Sequence, residues 1–574
     1  MPHFITKKKK GRPYLYVREV QRINGKPRTV WQRYIGSPER VLKLVEGGGS
    51  DLKQLKVEEF GSVFVANLLD RDIDLAGIID GVVPPDPHEK GPSVGEYFLY
   101  AVLNRMIEAQ SKNRLSQWYE RTAIQTIRAV ELGALSSQRY WEKWERVDEQ
   151  ALDEIARRFF ARVWEVERPE ADCVVFDTTN YYTFMASQTD SELARRGKNK
   201  EGRHNLRQVG LALLVARGSR LPLYSKVYRG NLHNSRLFGE VMQEMFGVVE
   251  GLRQTKSRLT VVIDKGMNGE QNYAWIDDHL SVHFITSYST YHAEELAQVP
   301  LKYFAPAEIK KNRRLEAEGL LDERLLVYRT AGDYWGRERT VVVSYNPATA
   351  RKQSYTFASK LDQLREELLV MRTKVRNARP QWRDAEAVRE RYLKVCERLH
   401  IAAHFYALDF EATAGGLSMS FRKDHYQIQR QQARFGKNII ITDNSDWTTA
   451  GIIQAALDRW EVEAAFRQSK DDDLVAAQPL RHWTDAKIRC HLFTCVVALT
   501  YLRRLELRLA AAALPITAQR AMDELRHLHS VITIDKAARK PLRRVETPTK
   551  TQREVLKAFG YAVDPSGVLR LLKQ

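Results

Sequence analysis

The chain has 574 residues, 43% hydrophobic and 28% charged, too long for one ordinary domain and apolar enough for three or four packed units. Its 91 Lys and Arg against 72 Asp and Glu leave a formal charge of +19, a balance that favours a polyanionic partner. Four scattered cysteines, Cys173, Cys396, Cys490 and Cys495, form no CxxC pair, so neither a zinc knuckle nor a disulfide framework is implied, and the usage fits a reducing cytoplasm. The longest apolar run, Cys490 to Leu502, falls short of the ~18 residues of a membrane span. No apolar stretch follows MPHFITKKKK, so no signal peptide is expected.

The predicted elements begin with a basic module over 1–50. YLYVREVQRI and PRTVWQRYIG alternate with period two around Asn24-Gly25, which predicts a β-hairpin with a tight turn. Helical periodicity over 51–168, clearest in SVGEYFLYAVLNRMIEAQ and the stretch from Ser136 to Val166, predicts a helical, DNA-binding domain. A first core segment, 169–287, follows. CVVF runs into Asp177, and LTVVI runs into Asp264. Short β-branched runs of this kind suit strands buried on both faces, each ending in an acid at the sheet edge. LRQVGLALLVA and LPLYSKVYRG add two strands, so the order is βββαβαβ.

Residues 288–435 interrupt that pattern with two strands around GDYWGRE. An αα-hairpin follows, whose first helix carries an apolar seam at Leu361, Leu364, Leu368, Met371 and Val375. This block is expected to be a separate mixed insertion domain. The core resumes over 436–505 with KNIIITDN and the helix DRWEVEAAFRQSK, and 506–574 is helical and basic. On that helix Arg459, Glu463 and Lys470 share one stripe at ~100° per residue. Ile453, Leu457, Trp460 and Ala464 form an adjoining apolar stripe, expected to dock on the core.

Two strand-end aspartates and a helix glutamate are a minimal carboxylate set for two divalent ions ~4 Å apart, which neutralise both oxygens of a phosphodiester exchange. Each aspartate alone equally fits a turn or cap. Glu463 alone equally fits an i,i+4 ion pair with Arg459, worth only ~0.2–0.5 kcal/mol.

Arg-x3-Glu-x6-Lys, met by Arg459, Glu463 and Lys470, resembles the YREK signature of bacterial insertion-sequence family four, a branch of the DDE transposases. The chain is most similar to the sixteen-thirty-four group, through KGRPYLYV…NGKPR, FDTTNYY, YRGNLHNSRLF, VVIDKGMNG, IIITDNSD, RWEVEAAFRQSK and PLRHWTDAKIRCH in that order. The resemblance implies an α/β, RNase H-like mixed-sheet catalytic core. Asp177, Asp264 and Glu463 would bind Mg²⁺ or Mn²⁺, two ions per site, with Arg459 and Lys470 on DNA phosphate. The block between Asp264 and Glu463 would be the family's insertion, and Trp335, with Trp382 next, would be the candidate to stack on a flipped base.

The implied activity is cleavage at the terminal inverted repeats of an insertion sequence and joining of the 3′-OH ends to target DNA, by a homodimer on paired ends. An RNase H-like nuclease or a non-transposing DNA-binding protein is the alternative, and an adaptor acting through the Leu361–Val375 seam is a third reading. The family tyrosine is absent: Ala456 stands three residues before Arg459.

Overall fold

The computed structural model of the protein describes residues 2–9, 12–23, 26–36, 52–88, 90–170, 172–185, 189–197, 202–253, 258–377, 380–413, 416–535 and 541–572. The alternating N-terminal segments form strands β2 (Arg12–Ile23) and β3 (Lys26–Gly36). The lysine-rich lead joins them as β1 (Pro2–Lys9), placing Phe4 opposite Val17 and Thr6 opposite Leu15. The expected hairpin is therefore part of a three-stranded antiparallel sheet; its turn, Asn24-Gly25, lies outside the described residues.

The helical region starts later than its periodicity predicts. Leu52–Glu59 is a strand, β4, paired antiparallel with His529–Asp535 near the other end of the chain. The backbone N–H groups of Phe60 and Gly61 both donate to Leu528 O, fixing that junction. Helices Gly61–Arg71, Val94–Ile107, Ser137–Glu145 and Glu149–Glu167 follow. Their starts are written in the sequence: Ser93 and Glu96 form a capping box, and Asp148 accepts from Ala151 N. They surround the helix Asp485–Ala511, whose Cys490–Leu502 stretch is buried among them. Among the described residues no helix is long and apolar enough to cross a membrane.

The central sheet is mixed. Its strands are β5 (Cys173–Thr183), β6 (Arg195–Arg196), β7 (Arg207–Ala216), β8 (Pro222–Arg229), β9 (Leu259–Ile263) and β10 (Val282–Tyr288), continued by β11 (Ala305–Pro306), β12 (Leu326–Tyr334) and β13 (Arg337–Tyr345). A separate hairpin, β14 (Tyr406–Thr413) with β15 (Gly416–Lys423), precedes the last sheet member, β16 (Lys437–Thr442). The spatial order is β11-β12-β13-β16-β10-β9-β5-β7-β6, with β8 also on β7. Strands β5, β9 and β10 run parallel, and β7 and β8 continue antiparallel on the other side of β5. Helices Asn234–Arg253 and Glu270–Asp278 complete the βββαβαβ order.

The two strands expected to belong to a separate insertion instead extend this sheet: β13 pairs with β16, and β16 with β10. The reason lies in β16 itself, whose Ile439, Ile440 and Ile441 are buried on both faces. A strand of that composition needs a partner on each edge, and Val341–Val343 of β13 supply one. What stands apart is the αα-hairpin, helices Pro347–Arg376 and Ala385–Leu399, with β14 and β15. Its core contains all five seam residues, Leu361, Leu364, Leu368, Met371 and Val375.

Candidate active site

Asp177 is not at a strand end. The strand continues through TTNYYT to Thr183, residues whose branched and aromatic side chains suit β structure. What ends near Asp177 is a pairing. The parallel register of β5 with β9 spans Cys173–Val175 against Thr260–Val262 and stops, while the pairing with β7 runs on to Thr183. Beyond Val175 the two parallel strands part, and a crevice opens at their carboxyl ends, the usual ligand position of such sheets. Asp177, 4% exposed and fixed by the hydrogen bond from Thr178 N at 2.8 Å, lines one side. Asp264 follows the last residue of β9 and begins the tight turn Lys265–Met267.

DRWEVEAAFRQSK does not continue the helix before it: Thr449–Leu457 and Trp460–Ser469 are two helices, broken at Asp458-Arg459. The break resets the angular phase, so the predicted apolar stripe does not hold: Ile453 is buried, but Leu457 and Trp460 are exposed. Docking uses Val462 and Phe466 instead, with two acids gripping the β7–β8 turn. Asp458 pairs with Arg217 at 2.7 Å, and the buried Glu461 accepts from Gly218 N at 2.9 Å. Burial pushes the Glu461 carboxyl above its ordinary range.

This docking turns the second helix so that Glu463 meets the crevice. Arg459, at the helix start, lies 2.9 Å from Glu463, 3.0 Å from Asp264 and 3.9 Å from Asp177. Three carboxylates from remote parts of the chain thus surround one guanidinium. The expectation of Arg459 on phosphate meets a different position here, amid the acids themselves.

Lys470 caps the far end of the helix, with its Nζ 5.5 Å from the Tyr181 ring, while the Tyr181 hydroxyl meets Ser469 Oγ at 2.7 Å. Tyr181 lies four residues along β5 from Asp177, about 13 Å at strand rise. The shared stripe of Arg459, Glu463 and Lys470 therefore divides, with two members at the acids and one farther along β5. Trp335 sits in the two-residue turn between β12 and β13 at φ 52°, its ring stacked on Tyr273 at 3.8 Å and packed edge-on to Phe284 and Tyr288. Trp382 is 6% exposed in the αα-hairpin, between Lys374 and Arg391. Trp382 is thus buried in packing, whereas Trp335 is half-buried with one stacked neighbour, Tyr273.

The GNLHNSR loop does lie at the site. A Cβ on Gly266 would stand 3.5 Å from Asn234 Nδ2 and 3.9 Å from Asp264 Oδ2. His233 is tied to Ser235 Oγ at 2.9 Å. The aspartate and asparagine of IIITDN serve the opposite end of the sheet: Asp443 accepts from Phe284 N and meets His283 Nδ1, and the buried Asn444 meets Thr260.

Sequence reasoning missed Tyr228. Burial pushes its phenol up to about 12, with the charge of Asp177 adding, while a hydrogen bond with Thr178 opposes the rise. Its ring crosses the facing strand at Gly210, where a Cβ would fall 2.2 Å from the ring's Cζ. A glycine inside the aliphatic run of β7 was the available signal, since an interior strand glycine marks a close approach. Gly210→Ala is expected to displace this ring and lower stability by about 1–3 kcal/mol, measured as a fall in urea midpoint at unchanged slope.

Three carboxylates are the hard oxygen donors that suit Mg²⁺ or Mn²⁺. With Arg459 among them, no group of three His, Cys, Asp or Glu side chains among the described residues converges tightly enough to hold an ion. The donor chemistry fits a divalent cation, with the guanidinium standing in as the local positive charge.

No family model and no curated protein sequence matches the chain. Among solved structures it is similar to piggyBac transposase in a synaptic complex with hairpin DNA, at TM-score 0.37 and 8% identity, covering 83% of this chain and 82% of that one. It is also similar to Mos1 transposase in a paired-end complex with the left transposon end, at TM-score 0.16 and 11% identity, covering 38% and 65%. Likeness of that order is too weak to bear on what this chain does.

Proposed function

We propose that this chain is a DNA transposase of the DDE type, which cleaves phosphodiesters at the ends of an insertion sequence and joins the 3′-OH ends to target DNA. The observation that carries the reading is the convergence of Asp177, Asp264 and Glu463 on Arg459, in the crevice where β5 and β9 part. The strand order β10-β9-β5-β7-β8, parallel on one side of β5 and antiparallel on the other, supports an RNase H-like core. The formal charge of +19 favours a nucleic-acid partner.

Asp177, Asp264 and Glu463 would hold Mg²⁺ or Mn²⁺, two ions per site, and such ions when bound neutralise charge on the attacking and leaving oxygens. The chain's own contribution is placement. Asp177 is rigid in the sheet, Asp264 stands on a tight turn, and the half-exposed Glu463 closes the set from its helix. Arg459 offers a planar fork to a phosphate once it leaves the acids, and Lys470 a point charge farther along the same strand. A homodimer would hold the two ends together for joining.

The test is an assay with purified full-length chain, Mg²⁺ and duplexes carrying the sequences that flank its coding region. Cleavage followed by covalent joining of the 3′ ends to a target plasmid is the expected outcome. Cleavage without joining makes the protein a nuclease, and neither activity removes the enzymatic reading.

A further inference from the structure

A cleft of about 610 Å³ lies away from the three acids, between the segment that follows the Val94–Ile107 helix and the one that follows Lys470. Lys112, Arg105, Arg114, Arg481 and Gln478 line it, and Asp472 is the one carboxylate of the lining. Lys112 is 5% exposed, and its Nζ has no hydrogen-bond acceptor among the described residues. Its neighbours are the ring faces of Trp144 at 5.0 Å and Tyr140 at 5.5 Å. Arg105 spends Nη1 on the carbonyls of Val475 and Ala476, both at 2.9 Å, and leaves Nε without an acceptor.

Burying an ammonium beside a guanidinium with no anion between them is costly unless the ammonium sheds its proton or something negative enters. Burial, with the charge of Arg105 adding, pushes the Lys112 ammonium down to about 7. The buried His482 and His491, also in the lining, are not metal ligands in waiting. A cation there would meet the charges of Lys112 and Arg105, and His491 already spends Nε2 on the carbonyl of Ala477. The chemistry is that of an oxyanion site.

The surroundings favour a strand over a small free anion. Arg114 and Gln110 also line an adjoining hollow with Arg121, and Arg481 and His482 line another with Phe184 and Trp483, two aromatics each 63% exposed. The three hollows share residues and so form one basic groove with exposed rings at one end. The groove meets the end of β5, where Thr183 bridges to Leu480. That point is six residues from Asp177, about 20 Å at strand rise.

We propose that this groove seats the phosphodiester backbone of a DNA strand that continues past the acids, with Lys112 and Arg105 taking one phosphate at its floor. At about 3.4 Å of duplex rise per nucleotide, the near end of the groove lies about six nucleotides from the phosphate at the acids. The inference rests on the DNA-binding part of the function proposed above, but not on cleavage or joining.

The test compares full-length wild type with Lys112→Met, in chelator so that no cleavage contributes. Binding to flanking-sequence duplex is measured across a salt series. One lost phosphate contact should flatten the slope of log affinity against log salt by about 0.9 and weaken binding at every duplex sequence tried. Melting temperatures in inorganic phosphate and in chloride, at equal ionic strength, identify the source of the anion. If phosphate stabilises wild type but not Lys112→Met, and the DNA slopes are identical, the site takes a free phosphate and the strand assignment is overturned. Identical slopes with no phosphate effect overturn the anion site altogether. Should Lys112→Met fail to fold, the exposed Arg481→Gln serves in the same salt series, with the same flattening expected. A chain that shows the flattening yet neither cleaves nor joins DNA keeps this inference and loses the transposase reading.

Discussion

Asp264→Asn is expected to lower cleavage of end DNA at least about a thousandfold while leaving DNA affinity in chelator unchanged. The amide keeps the shape of the side chain and removes its charge. Divalent ions in phosphodiester exchange are worth several kcal/mol of charge stabilisation, and each 1.36 kcal/mol is tenfold in rate. Folding should survive, because the turn at this position is made by the backbone: Asp264 O accepts from Met267 N at 2.9 Å, and the side chain caps nothing. Single-turnover cleavage in Mg²⁺ measures the effect. Activity within tenfold of wild type would sink the carboxylate assignment.

The second large effect is expected at Arg459. Its guanidinium is the common partner of three carboxylates, the nearest at 2.9 Å and the farthest at 3.9 Å. Arg459→Ala leaves these charges facing one another, with Asp177 buried. The variant should melt lower in chelator and recover with Mn²⁺. A unit charge at such distances is worth about 4 kcal/mol at an effective dielectric of 20, and the solvent reaching Glu463 and Asp264 screens much of that. Mn²⁺ should therefore bind about ten- to a hundredfold more tightly to the variant, read from the free-ion spin resonance signal. On the proposed reading cleavage should nonetheless fall, because Arg459 would also serve as the phosphate fork once an ion takes its place. Equal Mn²⁺ affinity in the two proteins would show that arginine and ion do not exchange at one place.

The three carboxylates that meet around Arg459 could be singled out because each follows a short apolar run or lies on a helix with a distinctive spacing. Their surroundings were less legible. Asp177 lies within a strand, and the sequence has no mark for the place where one neighbour stops pairing and the other continues. The apolar stripe through Leu457 and Trp460 failed because the 3.6-residue period was carried across a break that no proline or glycine announces. The insertion strands were found, but their membership of the central sheet depends on what β16 lacks on its far edge, a non-local fact. β1 was hidden because PHFITKKK has no alternation of apolar and polar residues, and its pairing with β2 is what makes it a strand. The Lys112 cleft is assembled from segments remote in sequence, which only folding makes adjacent.

The pairing of β4 with His529–Asp535 bears on how this chain is made. The helices between residues 61 and 167 cannot be closed off as they leave the ribosome, because the strand that precedes them finds its partner only after nearly the whole polypeptide has emerged. Contacts of such sequence separation form slowly, and surfaces left waiting for them are exposed to misassembly. A shortened translation product ending after Glu463 would carry every residue assigned to the metal site, yet lack the strand that completes its helical part. A truncated copy is thus expected to leave β4 unpaired and the faces of its helices that pack on Asp485–Ala511 uncovered.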